Sequence, residues 1–290
     1  MEKYTKFSDK ATGISPFMPI PNNNGSRSPA LIPLKVLVSI ARTIGSMPFI
    51  ILLALIPING IQSLLLRAVL FICGLLSYEV NIQGVKRAKD TTGFLPVKNE
   101  VYFVNFTSMM DYFILWLISK DSFVVLIPDV SGKLTKFNTL SFISRALCGD
   151  DSITGSEFTF NELTNKIVYI FPEGTTSNGK SIVPFTLTET QWKSFYTDLC
   201  QDKKTHKIKT IFLKLYPSHL TTPLNLNTLQ YLHRLLSEPS INYKIRVNFV
   251  EDQTLLKVKN AFAYNGKAKI VQGVDLNSKK EFAKVFRGRR

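Results

Sequence analysis

The chain has 290 residues, of which 45% are hydrophobic, and its formal net charge at pH 7 is +15. A chain of this length can bury a substantial core, and one catalytic domain with appendages is the expected organisation. Its three cysteines, Cys73, Cys148 and Cys200, show neither metal-binding spacing nor an even disulfide framework. This pattern is typical of a reducing compartment and argues against a disulfide-stapled secreted domain.

The positive charge is concentrated in the last third of the chain. From Cys200 to Arg290 there are 18 Lys and Arg against 6 Asp and Glu, a net of +12, which leaves +3 for the rest. Such asymmetry indicates an anionic partner: nucleic acid, anionic lipid headgroups or phosphorylated substrates. A solvated basic face is the alternative.

The N-terminal quarter of the chain divides into a polar lead and an apolar segment. Residues 1–30 are rich in Pro, Asn and Ser and are predicted to be flexible. Residues 43–66 carry no charge and are long enough to span a bilayer. The motif "PING" at residues 57–60 is a turn signal, so two helices are predicted rather than one.

The charges flanking this apolar segment favour a membrane hairpin. Arg67 would lie near the middle of a second span, at a cost of about 2.5 to 3.5 kcal/mol. We therefore expect residues 31–78 to form a helical hairpin in one leaflet, with Lys35, Arg42 and Arg67 directed towards headgroups. Two full spans, or a core helix pair of a soluble protein, are the alternatives.

From Glu79 onward, strand patterns alternate with helical patterns. Strands are predicted at "YEVNIQGV", "VYFVN", "SFVVLIP", "KIVYIF", "KIKTIFLKLYP" and "INYKIRVNFVE", and helices at "MMDYFILWLIS" and residues 224–237. Several of these strands are continuously apolar, which indicates burial on both faces. Residues 79–290 are thus predicted to form an α/β domain, with a basic C-terminal part, whose sheet is covered by helices on both faces.

Three polar blocks follow predicted elements of this domain, and open α/β sheets place their sites at strand ends. The first holds Asn105, Ser108 and Asp111, the second, "LSFISR", ends at Arg145, and the third is "FPEGTTSNGKSIVPF" at residues 171–185. The carboxylate of Glu173, directly after a buried strand, is costly unless it is hydrogen-bonded or paired.

In order and spacing, the three blocks resemble the glycerolipid acyltransferase family. The family pattern is Asn-His-x-Ser-x-x-Asp, then Phe-Ile-x-Arg, then Phe-Pro-Glu-Gly-Thr, and this chain departs from it only where Phe106 replaces the histidine. The resemblance covers residues 80–220, and the beginning of the chain and "EGTTSNGKS" are similar to the fungal lysophosphatidic acid:oleoyl-CoA branch. The resemblance implies an acyltransferase-type sheet preceded by a membrane-associated hairpin.

The activity that this resemblance implies is transfer of a fatty acyl chain, oleoyl in that branch, from acyl-CoA to lysophosphatidic acid or a related lysophospholipid. Asp111 and Glu173 would be the catalytic residues. Residues that would bind the substrate are Arg145 at the phosphate, Gly174, Thr175 and Thr176 at the glycerol and phosphate oxygens, and Ser108. Acyl-CoA is a co-substrate, and no bound cofactor, metal or nucleic acid is expected. The implied location is the endoplasmic reticulum membrane or the lipid droplet, with the domain facing the cytosol.

Phe106 removes the imidazole that would take the proton from the attacking hydroxyl. Three interpretations remain open: an acyltransferase with altered proton transfer, a catalytically impaired protein that binds lipid or acyl-CoA, and a membrane-surface adaptor. The histidines His206, His219 and His233 all follow the third block. The sequence does not tell which of them reaches the site.

Overall fold

A seven-stranded sheet forms the centre of the protein. The computed structural model describes residues 2–9, 12–22, 31–56, 58–84, 92–148, 152–200, 206–250, 252–263 and 269–287. In chain order, the strands are β1 Leu75–Ile82, β2 Glu100–Val104, β3 Phe123–Pro128, β4 Leu134–Phe137, β5 Ile167–Ile170, β6 Lys207–Tyr216 and β7 Ile241–Phe249.

The strand order across the sheet is β1-β7-β6-β2-β5-β3-β4. The neighbouring pairs are parallel except at β6–β7 and β3–β4, which are antiparallel. The helices are α1 Leu31–Leu55, α2 Asn59–Ile72, α3 Met110–Ile118, α4 Thr139–Cys148, α5 Glu189–Leu199, α6 Thr228–Ser237, α7 Leu255–Phe262 and α8 Leu276–Arg287. Two hydrophobic clusters cover opposite faces of the sheet, and the predicted α/β fold is confirmed.

Side-chain alternation along β6 shows how the two faces are built. Ile211, Leu213 and Leu215 belong to the cluster that includes α3 and α4, whereas Ile208 and Phe212 belong to the cluster that includes α5 and α7. Lys214 lies on the same face as Phe212, close to the carboxyl end of the strand. Lys214 is therefore close to the loops that follow the parallel strands.

The helices α1 and α2 pack against each other and present an apolar outer face. The segment Ile32–Leu55 of α1 is long and apolar enough to cross a membrane. Large apolar side chains exposed on this pair include Ile32, Leu34, Leu37, Ile40, Ile44, Met47, Ile51, Leu55, Leu64 and Phe71. The predicted turn includes Pro57, which lies outside the described residues.

Arg42 attaches α1 to the α/β domain. Its guanidinium donates to the backbone oxygens of Leu236 at 2.9 Å and Pro239 at 3.3 Å, and also to that of Glu238. These carbonyls lie at the C-terminus of α6, where the last turn leaves oxygens unsatisfied and the helix dipole favours a cation. Arg42 therefore has an internal partner, although the sequence predicted that it would extend towards headgroups.

The segments flanking the domain also differ from their predicted boundaries. β1 begins at Leu75, inside the segment predicted to belong to the hairpin. In the lead predicted to be flexible, Phe7 and Phe17 are buried against Phe282 of α8. These aromatic contacts bury apolar surface and so hold the described part of the lead in place. Residues 23–30 lie outside the described part.

Candidate active site

The first motif loop leaves the carboxyl end of β2 and runs beside β6. The side chain of Asn105 donates to the oxygen of Leu213 at 2.9 Å and accepts from its N–H at 2.6 Å. The Asn105 side chain thus makes the pair of hydrogen bonds that a residue of a neighbouring strand makes in a β-sheet. The loop is also held at Thr107, whose oxygen accepts from the N–H of Thr222 at 2.9 Å.

Asp111 is fully buried at the beginning of α3 and closes the first motif loop. Its carboxylate accepts from the N–H groups of Thr107 at 2.7 Å and Ser108 at 2.9 Å, and from the hydroxyl of Tyr243 at 3.0 Å. Burial raises the pKa of Asp111 to about 6, and the two N–H groups and the Thr107 hydroxyl oppose that rise. The group can accept a proton near neutral pH, but its oxygens already have four donors, counting the Thr107 hydroxyl.

Glu173 joins the first motif to the third. Its two carboxylate oxygens accept from the N–H groups of Phe106 and Val183, each at 2.8 Å. These bonds satisfy the buried carboxylate that the sequence left without a partner. Burial is the main cause that raises the pKa of Glu173 to about 8, and the negative charge of Asp111 adds to the rise. The geometry therefore shows that the carboxyl group of Glu173 holds the backbone at Phe106 and at Val183 in position.

Phe106 lies in the core. Its ring centroid is 4.9 Å from that of Phe142 and 5.1 Å from that of Phe171, and Phe106 has no exposed surface. One phenylalanine from each of the three motifs thus contributes to a single aromatic cluster. The position that holds an ionisable ring in the family pattern serves here as packing between the motif loops.

Arg145 is buried and connects α4 to the third motif. Its guanidinium donates to the oxygens of Ile153 at 3.0 Å and Gly174 at 2.8 Å. Gly174 has a φ of +66°, and a Cβ at this residue would lie 3.1 Å from the oxygen of Pro128. Only glycine fits this turn without strain. Arg145 also lines a cavity of about 280 Å³, and its predicted contact with a substrate phosphate stays a prediction.

Lys279 of α8 contacts the threonines of the third motif. Its ammonium donates to Thr175 Oγ1 at 2.7 Å, to the backbone oxygen of Thr176 at 2.6 Å and to Thr176 Oγ1 at 3.0 Å. Thr176 Oγ1 donates in turn to the oxygen of Thr222 at 2.6 Å. Lys279 could not be predicted from the sequence, since one lysine of a basic helix a hundred residues away carries no local signal. Tyr243 was missed for the same reason.

A cationic cavity of about 450 Å³ lies against the first motif loop. We call it the basic cavity; its lining includes Thr107, Lys180, Lys214, Thr221 and Arg246. Thr107 Oγ1, on one wall, lies 3.0 Å from the carboxylate of Asp111. None of the three cations forms an ion pair with a carboxylate in the part of the chain that the structure describes.

Another cavity, of about 470 Å³, shares the lining residue Thr221 with the basic cavity and is also lined by Lys35 of α1. We call it the α1 cavity; its lining includes Ile20, Lys35, His219, Thr221, Leu224, Leu226, Arg234, Glu238 and Phe286. His219 Nε2 lies 2.9 Å from Glu238 Oε1. His233, five residues before Glu238 in the chain, is exposed on α6.

Comparison with known proteins identifies the relationship of the whole chain. The lysophosphatidic acid:oleoyl-CoA acyltransferase 1 of Saccharomyces cerevisiae is 30% identical over 303 aligned positions, covering 99% of this chain and 97% of the yeast protein. The chain belongs to the lysophosphatidic acid acyltransferase family. The predicted family resemblance is thereby confirmed.

Two further comparisons add nothing to this assignment. No protein-family model matches the chain. The crystal structure of the 1-acyl-sn-glycerophosphate acyltransferase of Thermotoga maritima is 12% identical, covers 88% of this chain and 96% of that one, and has a TM-score of 0.33. A TM-score this low does not establish a common fold.

Proposed function

We propose that this protein transfers a fatty acyl chain, with oleoyl preferred, from acyl-CoA to lysophosphatidic acid and so forms phosphatidic acid. The yeast relative supports the choice of donor and acceptor, because it is named for lysophosphatidic acid and oleoyl-CoA and is aligned along nearly its full length. The products are a phosphatidic acid and the free thiol of coenzyme A.

The basic cavity is the structural observation that carries the proposal. Coenzyme A brings several phosphate groups, and cations bind phosphate oxygens through charge-assisted hydrogen bonds. Lys180, Lys214 and Arg246 line one cavity and form no ion pair with a carboxylate of the described residues, so an anionic ligand would be attracted there. The shared wall at Thr107 places this charge next to the loop that holds Asp111.

The catalytic roles of Asp111 and Glu173 stay predictions, as do the substrate contacts of Arg145, Gly174, Thr175, Thr176 and Ser108. Asp111 has no exposed surface, so a substrate hydroxyl reaches it only after the residues that cover it move. A second candidate function follows from Phe106: a family member that binds the lipid and acyl-CoA without transferring the chain. The burial of Phe106 in the core favours that candidate, since no proton acceptor stands at its position.

The apolar face of α1 and α2 supports action at a membrane. A lysophospholipid acceptor and a long-chain acyl donor both partition into lipid, so a surface-bound enzyme meets them where they are concentrated. Residence in the endoplasmic reticulum or on the lipid droplet, and a cytosolic orientation, remain predictions.

Formation of phosphatidic acid from oleoyl-CoA and lysophosphatidic acid tests the proposal, with the purified full chain in phosphatidylcholine vesicles. We expect the double variant Lys214→Gln/Arg246→Gln to raise the KM for oleoyl-CoA tenfold or more, on the order of one or two charged hydrogen bonds. The KM for the acceptor should stay the same. Lys244→Gln is the matched control, because Lys244 is opposite Lys214 in the β6–β7 register and pairs with Glu79 instead.

Either of two results would count against this proposal. An unchanged KM for oleoyl-CoA in the double variant would show that the basic cavity does not bind the acyl donor. An inert wild-type protein that still binds oleoyl-CoA would favour the second candidate function.

A further inference from the structure

The α1 cavity combines the features that an amphiphilic anion requires. Lys35 of α1 and Arg234 of α6 supply positive charge, and neither has an ion-pair partner among the residues with described positions. Leu224, Leu226 and Phe286 supply apolar surface. Lys35 belongs to α1, the helix that also carries the exposed apolar face, so the cavity adjoins the element that would contact a membrane.

His219 and Glu238 form a largely buried pair in the wall of this cavity. The side chains are 9% and 13% exposed, and 2.9 Å separates Nε2 from Oε1. When a carboxylate accepts from one ring nitrogen of a neutral histidine, it fixes the ring and leaves the other nitrogen as a proton acceptor. His219 Nδ1 makes no hydrogen bond to any described residue, so this nitrogen is available to accept a proton.

The pair is close to the motif loops. His219 lies in the 3₁₀ helix Ser218–Leu220, directly after the carboxyl end of β6. Thr222, three residues further along, donates to the oxygen of Thr107 at 2.9 Å. Three residues span at most about 10 Å, so His219 is near the end of the loop that the motif histidine would occupy. Thr221, between these residues in the chain, lines both cavities.

Building on the proposed function, we propose that the α1 cavity binds the lysophospholipid acceptor and that His219, oriented by Glu238, is the base that accepts the proton of its hydroxyl. This assignment supplies the imidazole that Phe106 cannot supply. It also separates the two substrates: the acyl donor occupies the basic cavity, the acceptor occupies the α1 cavity, and the reacting groups meet near Thr221.

The reaction balances with these groups alone. The acceptor hydroxyl oxygen attacks the thioester carbonyl carbon while its proton moves to His219 Nδ1. An ester C–O bond forms as the C–S bond breaks, and the imidazolium returns the proton to the departing thiolate. Glu238 keeps its negative charge and stabilises the imidazolium through the 2.9 Å contact. In this arrangement Lys35 and Arg234, in place of Arg145, bind the phosphate of the acceptor.

The first test is turnover of lysophosphatidic acid and oleoyl-CoA by the full chain in vesicles. We expect His219→Gln to lower kcat about 10²- to 10⁴-fold with little change in either KM, as loss of a positioned base does. Glu238→Gln should lower kcat by a smaller factor. His233→Gln, on the exposed face of α6, is the matched control and should match wild type. Imidazole in the buffer should restore part of the turnover of His219→Ala, which loss of a merely structural side chain would not allow.

A kcat for His219→Gln equal to that of wild type overturns the assignment of the base. So does a loss that imidazole does not restore, when His219→Ala has the same unfolding temperature as wild type. The binding step has its own readout. Lys35→Gln/Arg234→Gln should weaken lysophosphatidic acid binding, measured by calorimetry, about tenfold to a hundredfold.

This binding measurement also separates the two proposals. The wild-type protein could be inert and still bind lysophosphatidic acid through Lys35 and Arg234. That result would overturn the proposed transfer and the assignment of His219 as the base, and it would support the α1 cavity as the acceptor site. Equal binding by the double variant and wild type would overturn the cavity.

Discussion

The backbone N–H of Phe106 donates to the carboxylate of Glu173 at 2.8 Å, and this bond ties the first motif loop to the third. Glu173 also accepts from the N–H of Val183, so a buried carboxylate holds two separate loops. The resemblance implies a catalytic role for Glu173. The two hydrogen bonds show that the conformation of the Phe106 loop also depends on this carboxylate.

These buried carboxyl groups predict a pH dependence of stability. Burial raises the pKa of Glu173 to about 8 and that of Asp111 to about 6, from ordinary values of 4.5 and 3.8. The folded protein therefore binds each proton more tightly than the unfolded chain, and stability falls as pH rises from the ordinary to the raised pKa. We expect the unfolding temperature to fall between about pH 4.5 and 8, as measured by scanning calorimetry.

The two carboxyl groups can be separated within this range. Glu173→Gln should flatten the slope between about pH 6 and 8, and Asp111→Asn the slope between about pH 4 and 6, whatever their effect on stability itself. An unfolding temperature that rises across pH 6 to 8 in the wild-type protein would contradict the raised pKa of Glu173.

Phe106→His should destabilise the protein rather than activate it. On sequence grounds this substitution restores the spacing of the family dyad. The structure, however, would enclose the new imidazole between Phe142 and Phe171, where a polar ring without a hydrogen-bond partner costs about 1 to 3 kcal/mol. Phe106→Leu, which stays apolar, should lower the free energy of unfolding by less, as measured by denaturant unfolding. Increased turnover in a stable His variant would show that the loop can turn its side chain out of the cluster.

Lys279→Met should loosen the third motif. The substitution keeps much of the stem but removes the ammonium that bonds to Thr175 and Thr176, at about 1.5 to 3 kcal/mol for a charged hydrogen bond. The positive charge also lowers the pKa of Glu173, so its removal should shift the upper end of the stability profile to higher pH. Lys284→Met, exposed on the same helix, is the control and should change neither quantity.

The exposed face of α1 should determine membrane binding. Ile40→Glu/Ile44→Glu places two charges on side chains that are 51% and 67% exposed, so the fold should persist while membrane association weakens. Vesicle flotation of the full chain measures this. Leu256→Glu, equally exposed on α7, is the control. Deleting the hairpin is a poorer test, because it removes Arg42 from the C-terminus of α6. Unchanged flotation of the double variant would exclude this face as the anchor.

Much of the sheet could be predicted because its strands carry their own signal. The runs at β2, β3 and β5 are continuously apolar, as strands buried on both faces must be, and the motif blocks stand at predicted ends. The packing of the N-terminal lead could not be predicted. Phe7 and Phe17 are isolated aromatics in a polar segment, and their partner Phe282 lies at the other end of the chain.

The candidate site was predictable in its residues and less so in its contacts. Asp111 lies in the first turn of α3, Arg145 in the last turn of α4, and Glu173 in the loop after β5. Which groups satisfy them depends on distant partners: Val183 for Glu173, Tyr243 for Asp111. The pairing of His219 with Glu238 is likewise a tertiary contact that the sequence does not indicate.

The most direct test of the account measures both products of the wild-type protein in one reaction. Oleoyl-CoA and lysophosphatidic acid are supplied to the purified full chain in vesicles, and free coenzyme A thiol and phosphatidic acid are quantified together. We expect equal amounts of the two products, because one ester forms for each C–S bond that breaks. Thiol release without phosphatidic acid, or neither product from a folded protein that binds both substrates, would contradict it.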